Sequence, residues 1–294
     1  MSAPLKIPTY SICNLMGANN CIAEILVRRL SDHLNKLNHF HTPHRHSFFQ
    51  LLIFTSGSGS HTVDFDVFEI KPGQVYFLAP GQVHSWQLDA GTDGFIINFN
   101  ETFFTAVCYN PHFLNEFPFF NAISGKSMMQ LQPGQQAPII ALTEKLLEEF
   151  SGDEDFKNDL LRAYLLQLLI QFARNCRPEG LSPANRQHYL LLRNFEKLVE
   201  QHYSQKKLPK EYAEMLFVTP SHLNAMCNAT TGRSAGEMIR DRVLLEAKRL
   251  LVNSQLHIAE IAYQLNFEDN AYFSRFFKKY TSVTPEAFRK THKV

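Results

Sequence analysis

The sequence predicts two domains: an all-β barrel or jelly roll followed by a helix pair, then an all-α domain of two helix-turn-helix units joined by a long helix. Three observations predict this. Short apolar runs punctuated by glycine and proline turns fill residues from about 40 to 105. The apolar spacing turns helical over about 137–175, and a helical unit recurs beyond 185 at an offset of about 50 residues. The domain limits that follow are 1–178 and 185–294, and a chain of 294 residues is long enough for two such cores.

In the first region, Phe48 to Thr55 is an apolar run ended by Ser56-Gly57-Ser58-Gly59. Val63, Phe65 and Val67 alternate with Asp64 and Asp66, as in a half-buried strand. Lys71-Pro72-Gly73 and Ala79-Pro80-Gly81 are turns that bracket the run Val75 to Leu78. Strands this short, with no helical pattern between them, are those of a small barrel or jelly roll. Ile139, Leu142, Leu146 and Phe150 then fall at helical spacing, as do Leu161, Leu165, Leu168 and Phe172, with Ser151-Gly152-Asp153 between the two sets. That is an antiparallel helix pair. Its Leu160-Leu161, Leu165-Leu166 and Leu168-Leu169 offer more apolar surface than one face needs. The 137–175 pair is therefore expected to form a homodimer contact or, more simply, to pack on the barrel or the second domain. Arg177-Pro178-Glu179-Gly180 with Ser182-Pro183 reads as the linker.

The repeat follows. In its first copy Tyr212-Ala213 begins a helix, a turn falls near Phe217 to Thr219, and a second helix places Leu223, Met226 and Cys227 on one face before Thr231-Gly232. In the second copy Ile258-Ala259-Glu260-Ile261-Ala262 begins the helix, and the turn falls near Asn266. Phe273, Phe276, Phe277 and Tyr280 then form a core stripe. Small residues at Ala213 and Ala262 let two helices cross closely. Ser234 to Val252 lacks proline and reads as one connecting helix of roughly 25–28 Å, enough to hold the two second helices about one DNA turn apart. The exposed face of the second copy's second helix carries Asn270, Ser274, Arg275, Lys278 and Lys279. Asn and Arg suit base edges and Lys suits phosphate. The first copy offers Ser221, His222, Asn224 and Asn228, with no basic residue before Arg233.

Composition agrees. Apolar residues at 45% and charged residues at 19% exclude extended disorder. No apolar run approaches the ~20 residues of a membrane span, and the N-terminus does not read as a secretion signal. Five scattered cysteines are expected to be reduced thiols of a cytoplasmic protein. The net charge of +1 divides unequally: residues 184–294 hold 17 Lys+Arg against 11 Asp+Glu, a net of +6, and residues 1–183 hold 12 against 17, a net of −5. Such a chain meets a polyanion with one half only. No nucleophile triad, P-loop or dinucleotide fingerprint is evident, so no catalytic residue and no cofactor are expected.

Residues 185–294 resemble the DNA-binding domain of the AraC/XylS family of bacterial regulators. The likeness is densest in Ile258-Ala259-Glu260-Ile261-Ala262, in Ala271-Tyr272-Phe273-Ser274-Arg275-Phe276-Phe277-Lys278-Lys279-Tyr280 and in Thr284-Pro285-Glu286-Ala287-Phe288-Arg289. The resemblance implies that Ser221, Asn224 and Ala225 in the first unit face bases, as do Asn270, Ala271, Tyr272 and Arg275 in the second. It implies a sequence-specific transcription regulator, an activator working with RNA polymerase on double-stranded DNA, and not an enzyme. Three positions depart from the pattern. The usual Gly-Phe turn is Asn266-Phe267, tolerable because Asn accepts a left-handed backbone; a usual Gly is Ser282, which implies a changed turn; and a usual Phe-Lys pair is Cys227-Asn228, which removes a phosphate contact.

In the first domain His44-Arg45-His46, Gln50, Gly73 and Pro80-Gly81-Gln82-Val83-His84 resemble the two cupin motifs. A metal cupin would use two His, a Glu and a third His; His44, His46 and His84 fit, but Gln50 stands at the carboxylate position, so no metal is expected. The cluster His33, His39, His41, His44 and His46 leans toward metal, and a metal-dependent cupin enzyme fused to a DNA-binding domain is the alternative function. Regulators of the resembled family commonly carry a cupin-like barrel that binds a small organic effector instead. The interior here is expected to hold His46, Phe48, Gln50, Leu52, His61, Tyr76, His84 and Trp86. Asp64-Phe65 and Pro80 to Trp86 are similar to a branch acting in hydroxybenzoate and hydroxyphenylacetate catabolism. That points to an aromatic acid, ahead of sugars or fatty acids, with Arg45, His61 or His84 as its cationic anchor. The segment from Met1 to about Asn38 is expected to be an arm that the effector moves.

Overall fold

The computed structural model describes residues 7–17, 23–36, 42–105, 113–120, 127–176 and 183–292. The chain divides into two compact units, with the boundary between Pro178 and Glu179.

The first unit contains β1 (Thr9–Tyr10), α1 (Ile12–Met16), β2 (Ile25–Arg29), α2 (Leu30–Lys36), β3 (His44–His46), β4 (Phe49–Ser56), β5 (Gly59–Val63) and β6 (Asp66–Glu69). It continues with β7 (Gln74–Leu78), β8 (Val83–Leu88), β9 (Asp93–Phe99), α3 (Thr102–Thr105), β10 (Met128–Gln130), α4 (Pro133–Ser151) and α5 (Lys157–Asn175). The strands form two five-stranded sheets, β1-β3-β8-β5-β6 and β10-β7-β4-β9-β2. Side-chain alternation along β4 explains why Leu51 to Phe54 is an unbroken apolar run. Phe49, Leu51 and Ile53 point outward into a core shared with Ile139, Leu142 and Leu146 of α4 and with Leu161, Leu165, Leu168, Leu169 and Phe172 of α5. Leu52 and Phe54 point inward, with Phe48 just before the strand, and meet Tyr76, Trp86 and Ile96 between the sheets. The second sheet is thus buried on both faces.

Three expectations need correction here. The segment before about 38 is not simply an arm: β2 pairs with β9 from Ile25↔Phe99 to Arg29↔Phe95, and β1 pairs in parallel with β3. Asp64 and Phe65 are not mid-strand. They form the turn of the β5–β6 hairpin, with Asp64 at φ 53 and the Val63↔Asp66 pair closing it. Cys13 is disulfide-bonded, with a partner outside the described residues, so the cysteines are not uniformly reduced; Cys176 and Cys227 are free thiols. The surplus leucines of α5 pack largely on the barrel, leaving Leu160 and Ile170 38% exposed.

The second unit is helical: α6 (Pro183–His202), α7 (Pro209–Met215), α8 (Pro220–Thr231), α9 (Ala235–Asn253), α10 (Ile258–Gln264), α11 (Asn270–Thr281) and α12 (Pro285–His292). The pairs α7–α8 and α10–α11 repeat each other down to single backbone bonds. In the first turn the Val218 amide donates to the Ala213 carbonyl at 3.0 Å, and in the second the Phe267 amide donates to Ala262 at 2.9 Å. Gly232 and Ser282 both end their helices left-handed, at φ 71 and φ 65, each amide bonding four residues back at 2.9 Å. Ser282 therefore keeps the glycine's turn instead of changing it. At 19 residues α9 is about 28 Å long. Buried Arg242 anchors it to α6 through two bonds from Nε and one from Nη2 to the Glu200 carboxylate, and its guanidinium stacks 3.8 Å over the Tyr203 ring.

The two turns differ at one equivalent position. Asn266 takes φ 53, which Asn tolerates, whereas Phe217 takes φ 55 with its ring 96% exposed. A left-handed backbone costs a bulky L-residue roughly 1–2 kcal/mol, and no packing of the ring offsets it. Glycine regains part of that in unfolded-chain entropy. Phe217→Gly is therefore expected to stabilise the second unit by about 0.5–1 kcal/mol, read as a shift of its urea midpoint at unchanged m-value. A loss of stability would show that the exposed ring has a folded-state partner.

Candidate effector site and DNA interface

The barrel interior is assembled by strand parity. On β3, His44 and His46 point inward and are buried, and Arg45 between them points outward, its Nε donating to Thr9 Oγ1 at 2.7 Å. Thr62↔Ser85 pairing places His61 of β5 beside Trp86 and, on a diagonal, His84 of β8. His61 Nε2 and His84 Nδ1 are 3.0 Å apart, and His84 Nε2 and His46 Nδ1 are 3.3 Å apart. His44 Nδ1 lies 2.9 Å from the Thr42 carbonyl and must donate to it. Aromatic rings line this chain of imidazoles: Phe48 stacks on His46 at 4.4 Å, Tyr76 meets His61 edge-on at 4.6 Å, and Trp86 lies 5.3 Å from His84. On the facing sheet Gln50 Nε2 donates to Asn98 Oδ1 at 2.9 Å, both side chains being fully buried. Gln50 Oε1, Asn98 Nδ2 and His61 Nδ1 have no hydrogen-bond partner among the described residues.

The eight residues expected inside the barrel (His46, Phe48, Gln50, Leu52, His61, Tyr76, His84 and Trp86) are all buried. Their suggested cationic anchors are not there. Burial takes His61 down to about 3 and drives His84 well below the ordinary histidine range, so both are neutral near pH 7. Arg45 is on the outer face. Burial also lowers His44 to about 4, against the pull of the Thr42 bond, and His33 on α2 to about 3, with Arg28 adding to the effect. His39 and His41 lie outside the described residues. Sequence reasoning passed over Asn98; the signal was a lone amide inside Phe95-Ile96-Ile97-Asn98-Phe99.

In the helical unit each second helix has a capped N-terminus. Thr219 Oγ1 accepts the His222 amide at 3.1 Å, and Asp269 Oδ1 accepts the Tyr272 amide at 2.6 Å. On α8, Ser221, His222 and Ala225 are exposed, while Leu223, Met226 and Cys227 are buried, burial pushing the Cys227 thiol up to about 12. Asn224 is already engaged: its Oδ1 accepts the Ala235 amide at 3.1 Å, tying α8 to the start of α9. On α11, Asn270, Ala271, Tyr272, Arg275, Lys278 and Lys279 are exposed, and only Phe273 and Phe277 of the aromatic stripe are fully buried. Tyr280 is 40% exposed and lies 4.4 Å beneath the Arg240 guanidinium, so the stripe is half core and half surface.

Sequence models of known families match both units: an AraC-like ligand-binding domain over residues 33–170, and a helix-turn-helix domain over residues 212–291. The chain belongs to the AraC/XylS family. This regulator is 24% identical over 256 residues to the transcriptional activator RhaR of Escherichia coli K12, covering 84% of the chain and 86% of RhaR. Among solved structures it is similar to ToxT of Vibrio cholerae O395, at 13% identity, 92% and 97% coverage of the two chains and a TM-score of 0.41. It is also similar to the C-terminal domain of the response regulator yesN of Fusobacterium nucleatum, at 31% identity, 32% and 93% coverage and a TM-score of 0.31. The regulator thus joins a cupin-like ligand-binding domain to a helical DNA-binding domain. No helix among the described residues is long and apolar enough to cross a membrane.

The Gln50–Asn98 pair gives a stability test of this interior. Gln50→Leu removes the one side-chain bond that Asn98 makes among the described residues and is expected to cost about 1–3 kcal/mol in chemical denaturation of the barrel. The double variant Gln50→Leu/Asn98→Leu is expected to recover part of that loss, because neither amide of the pair is then left buried without its partner.

Proposed function

We propose that the regulator is an effector-responsive transcription activator acting in the cytoplasm, and that α11 makes most of its sequence-reading contacts. The observation that carries this reading is the difference between α8 and α11. Both are capped second helices of repeated units, but α11 alone presents Asn270, Arg275, Lys278 and Lys279 on its exposed side. Among the described residues Arg275 and Lys278 form no ion pair, so both reach DNA without first breaking one. In this reading Asn270, Ala271, Tyr272 and Arg275 face bases and Lys278 and Lys279 meet phosphates. Ser221, His222 and Ala225 of α8 add weaker polar and shape contacts, with Asn224 partly committed to the protein.

The barrel is proposed to bind a small organic effector, an aromatic acid first, against His46, Phe48, Gln50, Leu52, His61, Tyr76, His84 and Trp86. The effector changes how the DNA-binding units are presented to DNA and to RNA polymerase. Leu160 and Ile170 on α5 are the apolar remainder available for a homodimer contact. Relatives named as activators support regulation as the output, and no enzymatic role is assigned to the barrel.

Selection from a random duplex library defines the operator, after which binding is measured by fluorescence anisotropy. Arg275→Ala is expected to weaken operator binding by about 1–3 kcal/mol and to relax the preference at one base pair. Lys278→Ala is expected to weaken all sequences alike and to lower the salt slope by about 1. If Arg275→Ala leaves operator and random DNA bound as before, α11 is not the reading helix. A panel of hydroxylated aromatic acids, sugars and fatty acids tests the effector, the expected result being a changed operator affinity with an aromatic acid alone.

A further inference from the structure

We propose that His44, His46 and His84 bind a divalent transition-metal ion, zinc or a close relative, inside the barrel, and leave a coordination position open to an acidic small molecule. This rests on the effector reading above and deepens it by placing a positive charge within the histidine cluster itself.

The three side chains can each offer a ring nitrogen such that all three nitrogens lie within 4.8 Å of one another. Zinc–nitrogen bonds of about 2.0–2.1 Å at a tetrahedral ion place its ligands about 3.4 Å apart. His46 Nδ1 and His84 Nε2 stand 3.3 Å apart, already at that spacing. The outer bonds of the ligands fit the same arrangement. A carbonyl oxygen can only accept, so the His44–Thr42 contact puts the proton on Nδ1 and leaves Nε2 as the donor atom toward a metal. His84 has His61 Nε2 at 3.0 Å from its Nδ1, the position from which a partner fixes a ligand's tautomer and orientation.

The donor set selects the ion. Three imidazoles with an amide, Gln50, at the place of the usual cupin carboxylate suit zinc, cobalt, nickel or copper better than magnesium, calcium or manganese. The same substitution selects the remaining ligand. A dication in a dry interior without a carboxylate carries uncompensated charge, which is costly unless an anion accompanies it. Gln50 Oε1, Asn98 Nδ2 and His61 Nδ1 share that interior as unsatisfied polar atoms, ready to bond the rest of such a molecule. Arg45, facing outward, cannot serve in the ion's place.

The test uses the untagged full-length chain, stripped with a chelator and titrated with Co2+ in the absence of DNA and organic ligand. One equivalent of Co2+ is expected to give the visible bands of a low-coordinate nitrogen site, bleached by one equivalent of Zn2+. Benzoate or azide is then expected to shift those bands. His61→Phe is expected to weaken Co2+ about 10–100-fold while leaving the bands in place at saturation, and His84→Gln to abolish them. The wild-type titration decides the matter even if a variant fails to fold. Absence of bands overturns the site, as does equal Co2+ affinity in folded His44→Gln and His84→Gln chains. Bands that neither benzoate nor azide moves overturn the open position. Because no operator binding is read, failure here is distinct from failure of the effector panel.

Discussion

Burial of the β10-β7-β4-β9-β2 sheet on both faces is the constraint on which the first domain depends. With a side-chain period of two, Phe49, Leu51 and Ile53 commit one face of β4 to the helices, and Leu52 and Phe54 commit the other to the barrel interior. A register slip of one residue would exchange the two sets, placing the Gln50 amide under α4 and α5 and an aliphatic chain among the histidines. Register and site chemistry are therefore the same fact. The helix pair is held by the outer face, so anything that shifts β4, β7 or β9 from inside is felt by α4 and α5. That is a physical route from an occupied barrel to the surface those helices present.

The second domain solves a different problem, holding two short helices at fixed angles to their predecessors. Each turn is closed by an amide reaching five residues back, and each second helix by a side-chain cap at its start and a left-handed residue at its end. Ser282 and Phe217 show that the backbone path is imposed by this framework and not by local preference, since neither residue favours it. The framework is duplicated but the chemistry is not. Asn224 serves the fold by capping α9, whereas the corresponding face of α11 is left to solvent, and among the described residues Arg275 and Lys278 there form no ion pair.

Much of this was legible in the sequence because periodicity reports burial. Apolar runs located β4 and β7, and helical spacing located α4, α5 and both repeated units. What escaped has a common physical origin in long-range pairing. Thr9–Tyr10 and Met128–Gln130 are too short to carry a pattern, and Ile25–Arg29 gains its meaning only from β9, some 70 residues away. Val63 to Val67 alternates as a strand should, yet Asp64 accepts φ 53 and turns the chain, so identical periodicity served a hairpin. The site suffered likewise. Parity along β3 separates Arg45 from its neighbours His44 and His46, which proximity in sequence conceals, and Asn98 acquires importance only by facing Gln50 across a register.

Charge is what distinguishes this interior from an ordinary apolar pocket. Four imidazoles lie within hydrogen-bonding or ring-contact distance of one another, and burial keeps each of them neutral, so the cluster contributes lone pairs and dipoles but no net positive field. A neutral effector would find donors and acceptors there. An acid would find no positive charge on the imidazoles themselves, and Arg45 of β3 is turned outward to Thr9; the guanidinium on the interior face is Arg28 of β2, which donates to the Leu15 carbonyl at 3.1 Å. Protonating a histidine cannot fill the gap near neutral pH when its affinity for the proton has fallen to the level of about 3 or 4. Neutral imidazoles can balance an acid only through a cation they hold or through Arg28 on the same interior face, so the identity of the effector and the occupancy of the histidine cluster are linked by one electrostatic balance.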